Sequence, residues 1–104
     1  MFKENIINDL KEKQKNLIQI INEIDERLPN YRKGSLFIKD NYCYIKYYDN
    51  GKTVSRYIGN NLSNIEINSI KLELKNRKTL EQRKKEYSKE LKEINKLLKK
   101  YQGR

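Results

Sequence analysis

Two long stretches with apolar residues at helical spacing enclose one stretch with strand alternation. Over residues 3–28 the apolar positions follow a heptad, Ile7, Leu10, Leu17, Ile21, Ile24 and Leu28, with Gln14 filling one seam position. Ile6, Ile18 and Ile20 widen that stripe. Pro29 closes the helix, because the residue before a proline is pushed out of the α region. A second helix is predicted over 63–101. Ser63 followed by Glu66 has the form of a capping box, and no Pro or Gly interrupts the chain until Gly103. Its seam reads Ile70, Arg77, Leu80, Lys84, Tyr87, Leu91, Ile94, Leu98 and Tyr101. Set antiparallel, the two seams meet as Leu28–Leu80, Ile24–Lys84, Ile21–Tyr87, Leu17–Leu91, Gln14–Ile94, Leu10–Leu98 and Ile7–Tyr101. That shared register predicts a coiled-coil hairpin. The apolar beginning of the second helix, Ile65, Ile67, Ile70, Leu72 and Leu74, is expected to cover a sheet.

The sheet itself is predicted between Gly34 and Gly59, over residues 35–59. Asn50-Gly51 is a strong hairpin signal, since a type I′ turn needs positive φ at both central residues; Asp40-Asn41 is a second, weaker one. Three short strands follow. Pairing across Asn50-Gly51 sets Tyr48 opposite Thr53, Lys46 opposite Ser55, Tyr44 opposite Tyr57 and Cys43 opposite Ile58. Side chains alternate between faces. Leu36, Ile38, Cys43, Ile45, Tyr47, Val54, Arg56 and Ile58 then share a core face. Phe37, Lys39, Tyr42, Tyr44, Lys46, Tyr48, Thr53, Ser55 and Tyr57 share the other. The expected architecture is α+β, one domain over 1–104 holding a three-stranded antiparallel meander flanked by two long helices.

Charge changes this picture. The formal net charge is +10, and it is unevenly spread: −1 over residues 1–28, +4 over 29–62 and +7 over 63–104. A surplus on the sheet and second helix attracts polyanions. With no His and one Cys, an internal disulfide and a Cys/His zinc site are both excluded. Cys43 falls on the core face and reads as a small buried hydrophobe. No cofactor is expected. The first residues lack the uninterrupted apolar run of a signal peptide, no stretch reaches the roughly 20 apolar residues of a membrane span, and a cytoplasmic protein is expected.

Catalysis has little to draw on. His is missing, and nearly all the acids alternate with Lys on helix faces as i,i+4 partners. A tyrosine nucleophile on phosphate would need an arranged Arg/His cluster that the chain does not offer. The protein is therefore read as no enzyme. The face that mixes Lys39, Lys46, Thr53 and Ser55 with Tyr42, Tyr44, Tyr48 and Tyr57 combines phosphate ligands with stacking platforms; on the bland reading, the same tyrosines merely stabilise a small sheet. Lys71, Lys75, Arg77, Lys78, Arg83, Lys84 and Lys85 give the second helix a basic run. Arg77 and Lys84 fall on the seam, where charges either snorkel or mark a ligand-facing fork. The candidate binding set is Lys39, Tyr42, Tyr44, Lys46, Tyr48, Ser55, Arg56, Tyr57, Lys71, Lys75, Arg77, Lys78 and Lys84.

Leu28-Pro29, Gly34-Ser35-Leu36, Tyr42, Tyr44, Gly51-Lys52 and Tyr57-Ile58-Gly59 resemble a pattern of small uncharacterised bacterial and phage proteins. That pattern runs from LP-x-G-S-L through tyrosines to a Gly-Lys hairpin and a Tyr-Ile-Gly close, and it implies no activity. The strand–strand–strand–helix order is similar to the arm-site DNA-binding domains of phage integrases, which implies a sheet that binds DNA. The expected partner is nucleic acid, DNA or RNA, bound by a monomer or homodimer without a membrane. The alternatives are a small phage-type inhibitor that contacts a nucleic-acid-handling protein complex in the manner of an anti-CRISPR protein, and a coiled-coil adaptor.

Overall fold

A computed structural model describes residues 2–103. In chain order it contains α1 (Phe2–Arg27), a 3₁₀ turn (Leu28–Asn30), β1 (Ser35–Lys39), β2 (Tyr42–Asp49), β3 (Lys52–Asn60) and α2 (Asn64–Gln102). The fold is α+β, with an antiparallel meander in the order β1-β2-β3 between two helices. The chain divides into two compact units: residues 1–28 with 80–104, and residues 29–79. Among the described residues no helix is long and apolar enough to cross a membrane.

In the first unit α1 pairs with the later part of α2 through the heptad positions. Leu17, Ile94 and Leu98 are buried together, and Ile7, Leu10, Tyr87 and Leu91 pack around them. Ile24 and Leu80 are buried as well. Gln14 Nε2 donates to Asn95 Oδ1 at 2.7 Å, so the one polar seam position of α1 finds its partner on the facing helix. Ile18, which widens the α1 stripe in the sequence, is 44% exposed instead. Ile6 and Ile20 are half-buried, like Ile7 and Ile21 of the seam, so the stripe is widened at those two positions.

The second unit begins where Pro29 and the 3₁₀ turn redirect the chain. Gly34 has φ 118°, and a Cβ there would lie 2.3 Å from the Lys46 carbonyl oxygen; only glycine lets β1 start this close to β2. Both turns are built on positive φ: Asp40 and Asn41 at 51° and 68°, Asn50 and Gly51 at 50° and 79°. These are the primed geometries whose twist matches paired strands. Strand β1 pairs Ser35 with Lys46 through Lys39 with Tyr42. From Tyr44–Tyr57 to Asp49–Lys52, β2 and β3 pair as the turn predicts.

Beyond Tyr44 the register shifts, and Cys43 lies opposite Gly59 rather than Ile58. Ile58 is the extra residue of a β-bulge. The bulge brings glycine against the buried thiol, and Leu62 closes over it, 3.2 Å from where a Gly59 Cβ would stand. The Asn61 amide then donates to the Asn41 carbonyl at 2.9 Å and ties the end of β3 to the first turn.

The Ser63 hydroxyl accepts from the Glu66 amide at 3.1 Å and caps α2. On α2, Ile67, Ile70 and Leu74 form the inward stripe, with Leu74 buried, as are Cys43 and Ile45 of the sheet. Ile65 and Leu72 do not join that cover. They are 82% and 58% exposed, because a helix turns them about 100° or more from the stripe that faces the sheet. Ile38, placed on the core face by alternation, is 45% exposed at the sheet edge.

Truncating Ile45 to Ala is expected to cost about 2–5 kcal/mol, the range for a buried large aliphatic, whereas Ile65→Ala changes stability by less than about 0.5 kcal/mol. Urea denaturation of both variants checks the pair; equal losses would show that the inward stripe is misassigned.

Candidate nucleic-acid interface

The face of the sheet opposite Cys43 and Ile45 has no element of its own unit over it. Pairing sets Phe37, Tyr44 and Tyr57 side by side across all three strands. Phe37 and Tyr44 have ring centroids 6.5 Å apart, Tyr44 and Tyr57 5.6 Å with edge-to-face geometry, and Tyr57 and Tyr42 6.2 Å. The rings make one continuous row. Each contact lies in the distance range where aromatic pairs attract beyond their buried area. The row remains open to solvent: Phe37, Tyr42 and Tyr57 are 40%, 45% and 53% exposed.

Cations and hydroxyls border it. Lys46 Nζ lies 4.0 Å from the Phe37 ring centroid, a cation–π contact that holds the ammonium at the row. Lys39 and Ser55 are exposed, and strand alternation puts them on the same face. Tyr48 shares that face one position further towards Asn50-Gly51 and is 70% exposed.

The other sequence-derived candidates lie elsewhere. Arg56 pairs with Ile45 and so projects to the opposite side of the sheet, where it lines a shallow hollow with Arg32, Lys33, Tyr47 and Asp49. Lys33 Nζ is 5.2 Å from the Tyr47 ring centroid there. Nothing in the local sequence shows that the Arg32-Lys33 segment folds back to Arg56. Lys71, Lys75 and Lys78 line a groove with Gly34, Ser35, Leu36 and Leu74, beside the outer edge of β1. Arg77 is half-buried and donates from Nη1 to the Tyr31 carbonyl at 2.8 Å. One turn earlier, Glu73 pairs with Arg32, Nε to Oε2 at 3.4 Å. These two contacts fasten the segment before β1 to α2. Lys84 belongs to the other unit and pairs there with Asp25. Within residues 29–79 the structure thus brings together Lys39, Tyr42, Tyr44, Lys46, Tyr48, Ser55 and Tyr57, and separates them from Arg56 and from Lys71, Lys75 and Lys78.

Charge follows the same division. Residues 29–79 hold ten Lys and Arg against four Asp and Glu, so the sheet-bearing unit carries +6 of the total +10.

Tyr57→Ser removes two ring contacts and is expected to cost about 1 kcal/mol, while Tyr48→Ser, which removes an exposed ring outside the row, stays within about 0.5 kcal/mol of the parent. Thermal melts of the two variants measure the difference; if Tyr48 were the costlier, the row would not be the stabilising unit.

Residues 4–66 match the family model described as a domain of unknown function, DUF6788, and the chain belongs to that family. No curated protein and no solved structure matches the chain.

Proposed function

We propose that this DUF6788 protein is a non-enzymatic, cytoplasmic nucleic-acid-binding protein that uses the open face of its sheet. The observation that carries the reading is the solvent-open row Phe37–Tyr44–Tyr57–Tyr42 with Lys46 held at its border. Bases present π-faces whatever their identity, so a row of rings offers stacking without sequence demands. Ammonium groups on the same face neutralise phosphates and release their counterions. Lys71, Lys75 and Lys78 of α2 lie outside the row and strengthen the positive field that draws a polyanion to this unit. Lys84 is occupied by Asp25 and is left out of the contact surface.

Fluorescence anisotropy with single-stranded DNA, duplex DNA and RNA tests the reading. Affinity should fall linearly on a log–log salt plot. Lys46→Ala should flatten the slope by about one contact, whereas Tyr44→Ala should weaken binding by roughly 1–3 kcal/mol with the slope unchanged. Flat titrations on all three probes at about 0.1 M salt, with a folded sample, retire the nucleic-acid reading and favour an inhibitor that contacts a nucleic-acid-handling enzyme.

A further inference from the structure

A three-stranded open sheet has two edges, and this one guards them unequally. Strand β3 carries Lys52 and Arg56 and is bent by the bulge at Ile58, devices that discourage another strand from pairing. Strand β1 has no bulge and no proline; its one charged residue, Lys39, stands at the turn end, and before it the strand exposes Phe37 and Ile38. Its hydrogen-bonding direction follows from the register. The pair Lys39–Tyr42 closes the two-residue turn, so Ser35, Phe37 and Lys39 bond towards β2. By alternation, the N–H and C=O groups of Leu36 and Ile38 point out from the free edge. Beside that edge runs the groove lined by Gly34, Ser35, Leu36 and Leu74, with Lys71, Lys75 and Lys78 standing on α2 and no acidic side chain among the lining residues.

We propose that this groove docks an extended acidic segment of a partner protein, which joins the sheet beside β1 as a fourth strand. Main-chain bonds to Leu36 and Ile38 supply affinity without regard to sequence, and side chains supply the choice. Strand alternation dictates the pattern. Every second side chain of the guest falls on the α2 side, where three ammonium groups select Asp or Glu. The intervening ones fall beside the exposed Phe37 ring and select apolar residues. A second copy of this chain is a poor guest, because pairing β1 with β1 would bring two lysine rows together. A nucleic-acid backbone is a poor guest too. It offers phosphate acceptors but no regularly spaced main-chain donors for the Leu36 and Ile38 carbonyls.

The test uses the full-length protein, isotope-labelled for NMR, and a blocked octapeptide alternating Glu and Val. The expected result is saturable binding with slowed hydrogen exchange at the Leu36 and Ile38 amides. Lys75→Glu should weaken binding at least tenfold. The triple change of Lys71, Lys75 and Lys78 to Glu should abolish it and confer binding of the octapeptide with Lys in place of Glu. Circular dichroism verifies folding, and the single variant serves if the triple one unfolds. The proposal is overturned by no binding at about 1 mM peptide, by unchanged affinity in Lys75→Glu, by exchange that stays fast at both amides, or by an oligonucleotide that slows the same two amides.

Discussion

Burial of one sheet face beneath α2 is the constraint from which the arrangement of residues 29–79 follows. Three short strands offer few large apolar side chains, and only Cys43 and Ile45 among them are buried. A sheet this small cannot close on itself, so a helix must cover it. The helix that does so is the start of α2, through Ile67, Ile70 and Leu74. Fixing that contact decides what every other strand residue can do. The tyrosine face is left open, β1 is left as an edge, and the lysines three residues before and one and four residues after Leu74 are carried to that edge.

Two arginine contacts keep the cover in place. The segment before β1 has no regular hydrogen bonding of its own, and buried backbone groups need partners. Arg77 supplies one to the Tyr31 carbonyl, and the Arg32–Glu73 pair supplies a second tie between the same segment and helix. A seam arginine, costly if left unpaired, thus becomes a fastener. Gly34 follows at once, where the chain must pass within reach of the Lys46 carbonyl.

Local chemistry made much of this legible in the sequence. Asn50-Gly51 and Asp40-Asn41 specify their own turns, Ser63 and Glu66 mark their own helix start, and the apolar heptad positions of both helices, from Ile7 to Leu17 and from Tyr87 to Leu98, supply one cluster. What escaped depends on distant residues. Alternation carries no sign that Ile58 is supernumerary, because the bulge answers to Leu62 and Asn61 beyond the strand. Ile65 and Leu72 are as apolar as their neighbours, and only the direction of the helix turns them outward. The side of the sheet on which Arg56 projects was readable by counting, but its company with Arg32 and Lys33 was not. Nor could a list of lysines tell which three would stand beside a strand edge.

The thiol of Cys43 has a consequence for watching the molecule move. It is 1% exposed, lies in the middle strand, and is the only sulfhydryl in the chain. A bulky thiol reagent therefore reacts only after the sheet and its helical cover part, and the helical pair of the other unit contributes no signal. Labelling kinetics read local opening of one unit, while loss of helix read by circular dichroism is dominated by the other. A natural probe is thus already installed on one side of any comparison between partial and complete unfolding.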